Sequence, residues 1–237
     1  MIRKFKIYLS YMLMILLTVS VIGCMDSRDI NKKMIATTIA VDKKDGKVWF
    51  YLEVANIQEG QGGEAAGGSI SEKYILIKAN GDTMTEAREH LERQLDQPLY
   101  LSGARTLLLT EDFAKEDLLE YLYRVRSDQT YRKKVITIIT RDNLDELFKT
   151  LNEKNSSVGY SIEHTITALD ESGESFSRST SRLLENLSDA YTGILIPCIG
   201  LHDKETALVG YSVVNDTKVT GFIPVEESMG LIMMKAD

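Results

Sequence analysis

The sequence predicts an α+β fold, with mixed sheets and packed helices in one or two lobes, preceded by an export signal. Three observations predict it. β-Branched runs alternate with segments of helical period between residues 74 and 151, which favours a sheet with crossover helices that is at least partly parallel. Paired strand-like runs joined by tight turns stand at both ends of the body. The first 23 residues are a short basic start followed by an apolar stretch and a small residue.

The leader comes first. Arg3, Lys4 and Lys6 form its positive end, residues 7–22 its apolar stretch, and Gly23 the small residue at the cut. The positive end stays in the cytoplasm, so the rest of the chain is exported. Val21-Ile22-Gly23-Cys24 resembles the bacterial lipobox, which implies cleavage between Gly23 and Cys24 and a diacylglyceryl group on the Cys24 thiol. Two acyl chains give the durable anchoring that one chain does not. The alternative is an uncleaved membrane helix over residues 7–25, which also places the body outside the membrane.

Residues 26–33 are polar and form a tether. Residues 35–41 read as a strand, Asp42 to Gly46 as a turn, and 48–57 as the returning strand of a hairpin. The turn is not a calcium loop, because Lys44 stands where an oxygen ligand is needed. Residues 59–71 are rich in Gly, Ala and polar side chains, too poor in apolar area to pack, and read as a mobile loop. A strand over 74–79 precedes a helix capped by Thr83 with Glu86 as the capping-box residue, and Met84, Ala87, Leu91 and Leu95 share one face. Pro98 closes this segment.

Residues 104–110 read as a strand, followed by a helix opened by Glu111 and Asp112 that buries Phe113, Leu118, Leu119, Leu122 and Val125. The uncharged run 135–140 reads as a central strand covered on both faces. Asp142 or Asn143 caps the next helix, with Leu144, Leu147, Phe148 and Leu151 inward. A break between an N-terminal lobe (24–151) and a second lobe or subdomain (152–237) is expected after Leu151. Residues 161–169 and 182–190 read as helices, 172–181 as a serine-rich loop, and 194–201, 207–214 and 219–223 as strands. Asn215-Asp216 turns the last pair into a hairpin. Residues 226–230 read as a short turn of helix and 231–234 as the start of a strand.

Composition excludes several functions. The formal net charge is −7, and loss of the three leader cations takes it to −10. Such a body does not suit nucleic acid or anionic lipid heads. With Cys24 used by the anchor, Cys198 is alone in the apolar run Ile194-Leu195-Ile196-Pro197-Cys198-Ile199 and reads as a buried, inert thiol. His90, His164 and His202 stand singly, without metal spacing, and no cofactor is implied. Catalytic signatures such as GxSxG, HExxH and CxxC are missing from the sequence, so an enzyme is not expected. Tyr121, Tyr123 and Tyr131 with Arg124, Arg126 and Arg132 form an aromatic-basic stretch, either a partner surface or a helix end with its turn.

Ordered motifs add a resemblance. The run from Gly23-Cys24-Met25-Asp26 through Arg28-Asp29-Ile30 to Ile39-Ala40-Val41-Asp42 is similar to the opening of the Ger(x)C spore germination lipoproteins. Gly81-Asp82-Thr83, Glu86-Ala87-Arg88, residues 107–116, Tyr123-Arg124-Val125-Arg126-Ser127-Asp128 and Tyr131-Arg132 follow in the family's order. Pro197, Gly210-Tyr211-Ser212-Val213-Val214, Lys218-Val219-Thr220-Gly221-Phe222 and residues 226–231 complete it. The resemblance implies a non-enzymatic, lipid-anchored subunit of a spore nutrient germinant receptor on the spore inner membrane, working with two integral membrane subunits. Met25 replaces the family's usual Trp, and Ser102-Gly103-Ala104 stands where His is usual. The family's further C-terminal domain is not covered, so the chain is expected to correspond to the N-terminal portion. Two rival readings are a solute-binding lipoprotein of a transporter and a cell-envelope hydrolase.

Overall fold

The computed structural model describes residues 33–55, 74–188 and 193–235. Residues Met34–Asp237 form one compact unit. The leader, the lipobox, the tether and the loop expected over 59–71 lie outside the described residues, apart from the tether's last residue, Lys33.

Strands β1 (Met34–Lys44) and β2 (Lys47–Ala55) form an antiparallel hairpin. Asp45 and Gly46 make its two-residue turn at φ 54° and 73°, and an Asp-Gly pair takes these left-handed values readily. The turn is shorter than expected, because pairing continues out to Lys44 opposite Lys47. Strand β3 (Tyr74–Gly81) adds antiparallel to β2 at one end of the sheet. Helix α1 (Met84–Glu92) starts at Thr83, whose Oγ1 accepts from the Glu86 amide at 3.2 Å. The Glu86 carboxylate accepts from the Asp82 amide, one residue before the position that the capping box predicts.

Strand β4 (Leu99–Tyr100), which sequence reasoning does not find, pairs parallel with β1 and runs into a single 3₁₀ turn (Leu101–Gly103). Strand β5 (Thr106–Thr110), helix α2 (Glu111–Ser127), strand β6 (Ile136–Thr140) and helix α3 (Leu144–Asn152) follow close to their expected places. Asn143 caps α3, while the Asp142 carboxylate accepts from the Leu201 amide at 2.7 Å instead. Helices α4 (Val158–Ser172) and α5 (Thr180–Ser188) follow, and the start of α5 is pinned to β6 through Thr180 and Thr137, whose hydroxyls lie 2.9 Å apart. Strands β7 (Ile194–His202), β8 (Glu205–Asn215) and β9 (Lys218–Pro224) form an antiparallel meander.

The strands form one mixed sheet in the order β3-β2-β1-β5-β6-β7-β8-β9, with β4 beside β1. Its centre, β1-β5-β6-β7, is parallel and its two wings are antiparallel. The expected break after Leu151 does not interrupt it: β5 and β6, before that point, are continued by β7, after it. Helices cover both faces, as the uncharged central strands require. On one face Ala87, Phe113, Leu122 and Leu183 pack on Ile39, Phe50, Leu107 and Ile139. On the other, Leu144, Phe148 and Ile162 pack on Tyr51, Leu108 and Ile138. There the Tyr51 and Phe148 rings stack 6.1 Å apart.

Residues expected as a helical turn and a starting strand form one helix, α6 (Val225–Lys235). Ser228 and Ile232, one helical turn apart, are both buried, and Ile232 joins Leu195 and Tyr211 in a separate small cluster. That spacing has the period of a helix and not of a strand.

One buried group ties α4 to the sheet. The Glu53 side chain in β2 has no exposed surface. Its Oε2 accepts from Thr37 Oγ1 (2.6 Å), Thr38 Oγ1 (2.8 Å) and Ser157 Oγ (2.6 Å), and its Oε1 from the Val158 amide (2.9 Å). A β-bulge between Ala36 and Thr38 lets two successive hydroxyls meet the same carboxylate. Glu53→Gln places an amide NH₂ among these donors. It is expected to lower stability by about 2–4 kcal/mol, the scale of lost charge-assisted bonds plus unsatisfied buried donors. Urea unfolding, with the exposed Glu153→Gln as control, measures it.

Candidate functional site

The residues singled out by sequence have different fates. Gly23 and Cys24 lie outside the described residues. Cys198 is fully buried in β7, and burial pushes its thiol up to about 12. His90 bonds the Asn80 carbonyl through Nδ1 at 2.8 Å, joining α1 to β3. His164 is exposed on α4, and His202 stands on the surface 3.4 Å from Asp203. Among the described residues no three His, Cys, Asp or Glu side chains come together as metal ligands, and no helix is long and apolar enough to cross a membrane. Asp42, the acidic end of the β1 motif, is buried and accepts from Thr110 Oγ1 at 2.7 Å, linking β1 to the cap of α2.

The aromatic-basic stretch divides in two. Tyr121 and Tyr131 are core residues. Arg88 of α1 lies over the Tyr131 ring at 5.6 Å and donates to Asp128 at 2.6 Å. Arg124 donates to Thr85 at 2.7 Å, and the Lys133 ammonium donates to the Val125 carbonyl at 2.7 Å and to the Asp128 carbonyl. Ser102 donates to the Thr130 carbonyl at 2.8 Å, which holds the 3₁₀ turn against the same segment. These residues join α1, α2 and the turn that follows, while Tyr123 and Arg126 face solvent.

Partial burial alone would favour neutral Asp128. Hydrogen bonds from Arg88 and Thr130 override it and hold the carboxyl at about 2. Arg88 loses solvation on burial, yet its bond to Asp128 leaves its charged form favoured more strongly than usual.

The described surface also carries an open groove of about 450 Å³ between α4, β8 and the start of α6. Ala168, Leu169, Ala207, Leu208 and Val225 give it an apolar lining, and Thr165, Thr206 and Glu174 complete it. The Thr206 hydroxyl lies 2.9 Å from those of Ser161 and Thr165. Sequence reasoning misses this groove, since its walls come from elements roughly 40 residues apart in the chain whose proximity no local pattern encodes.

Residues 26–201 match the family described as "Spore germination protein N-terminal domain". The Bacillus subtilis (strain 168) protein YfkR, described as a spore germination protein, is 23% identical over 193 residues, 81% of this chain and 49% of its own length. Spore germination protein KC of the same strain is 26% identical over 112 residues, 46% of this chain and 28% of its own length. The chain thus spans about half the length of YfkR and a smaller share of KC. The crystal structure of the GerBC protein superposes with a TM-score of 0.40 at 15% identity, covering 81% of this chain and 53% of that one.

Two outcomes follow from the buried groups. The Asp128 carboxyl titrates lower in the folded than in the unfolded chain, so its stabilisation is complete above its ordinary 3.8 and is lost as pH falls through about 2. Asp128→Asn is therefore expected to flatten the acid limb of a thermal-unfolding profile between those values. In a Cys24→Ala background, the Cys198 thiol is expected to resist iodoacetamide at pH 8 and to react fully in urea; rapid native labelling would contradict its burial.

Proposed function

The chain belongs to the Ger(x)C family of spore germination proteins; from that premise we propose that it acts in spore germination as a lipid-anchored, non-enzymatic subunit of a nutrient germinant receptor. The observation that carries the reading is the family match over residues 26–201, which begins two residues after the lipobox-like run Val21-Ile22-Gly23-Cys24. In this reading the Cys24 sulfur takes a diacylglyceryl group through a thioether, and the Gly23–Cys24 peptide bond is then cut. The anchor holds the acidic body at the outer face of the cytoplasmic membrane, which becomes the spore inner membrane. It raises the body's effective concentration beside two integral membrane subunits. Their contacts with the body stabilise or gate the complex.

The non-enzymatic part is supported by the work its polar groups already do. Glu53 holds the N-terminus of α4, Asp142 ties the entry of α3 to β7, and Asp128 pairs with Arg88.

The test is an affinity pull-down of the tagged protein from detergent-solubilised spore inner membranes, read by mass spectrometry. Two polytopic receptor subunits are expected with the native protein, and much less of both with Cys24→Ala. Recovery of transporter subunits, or of no membrane protein, would overturn the proposal.

A further inference from the structure

The groove between α4, β8 and α6 combines an apolar interior with a negative rim. Glu174 lines it, and Glu171 lies one helical turn beyond Ala168 on α4. Val225 brings the start of α6 to its edge, with Glu226 and Glu227 in the first turn. All four glutamates are exposed. Some surface carboxylates are answered by cations, as Glu205 is by Lys154 and Glu111 by Arg141. Among the described residues Glu174, Glu226 and Glu227 have no such answer.

The interior is matched to an apolar side chain and not to a polar solute. Its volume of about 450 Å³ is at the lower end of the ligand-pocket range. The hydroxyls that line it, Thr165 and Thr206, are already bonded to each other, and Ser161 adds a third. A polar small molecule would find no convergent free donors there. An anionic membrane surface would be repelled by the rim. What remains complementary is an apolar anchor between positive charges, the arrangement in which a buried side chain supplies affinity and rim charges steer the approach.

We propose that this groove docks a short segment of a partner protein in which one or two large apolar side chains are flanked by Lys or Arg. It rests on the receptor reading only for naming a membrane subunit as the source of that segment; the groove's chemistry stands without it.

Fluorescence anisotropy on the purified full chain tests the docking separately from germination. The probes are three labelled, capped hexapeptides: Leu-Phe flanked by two lysines on each side, the same core flanked by glutamates, and six lysines. The lysine-flanked core is expected to bind, more weakly as salt rises. Ala168→Arg, an exposed helical position that an Arg side chain suits, fills and recharges the groove and is expected to abolish binding. Glu174→Gln is expected to weaken it about 2–5-fold, the scale of one exposed charge pair. Equal binding of six lysines would reduce the site to a bare acidic surface and overturn the proposal. So would no binding of the lysine-flanked core, or binding indifferent to Ala168→Arg in a protein whose melting is unchanged. Each of these failures leaves the pull-down of membrane subunits untouched, so the two readings fail separately.

Discussion

Glu53 is the carboxylate on which the arrangement of the sheet and its second helical layer depends. Burying such a group without partners costs several kcal/mol. Here four donors from β1 and the entry to α4 converge on its two oxygens, and the positive end of α4 faces it. The compensation is available only if β1 keeps its bulge, β2 keeps its register and α4 starts at Val158. Gly159 then becomes obligatory, since a Cβ there would lie 2.3 Å from the Thr37 carbonyl oxygen. The Thr106 hydroxyl donates to the Gly159 carbonyl at 3.0 Å and brings β5 into the same junction. Three neighbouring strands thus grip the first turn of one helix.

The rest of the body follows from that grip. With α4 fixed over β1 and β5, α3 is drawn onto the same face, where Phe148 stacks on Tyr51. The central parallel strands are closed off on both faces, and the antiparallel wings carry the edges. In the β7-β8 wing a second bulge, at Gly210, allows the chain a φ of 153° and an approach in which a Cβ would meet the Ile223 carbonyl oxygen at 2.2 Å. The groove lies where this wing, α4 and the start of α6 meet, so its shape descends from the same junction that holds α4.

Local signals made much of this legible. The caps at Thr83 and Asn143 involve residues within three positions of each other, and β-branched runs mark β1, β6 and β7. The Ger(x)C resemblance was legible for a similar reason, as ordered short motifs. Glu53 was not legible. In Phe50-Tyr51-Leu52-Glu53-Val54 it reads as an outward-facing residue, and only α4, more than 100 positions later, turns that face into an interior. The run from Leu231 was misread because four apolar residues in succession carry no period; burial of Ser228 and Ile232 supplies it. Tyr121 and Tyr131 were ambiguous between surface and core, and Arg88, distant in sequence, decides for the core.

Amide hydrogen exchange at Val158 reports on the Glu53 junction itself, because that N–H is bonded to Glu53 and to no helical carbonyl. Helix N-terminal amides ordinarily fray. If Glu53 holds the junction, the Val158 amide exchanges only through global unfolding, with the same opening free energy as the β5 and β6 amides. Exchange through a local opening, with the central strands still protected, would contradict it and reduce Glu53 to a passenger of the fold.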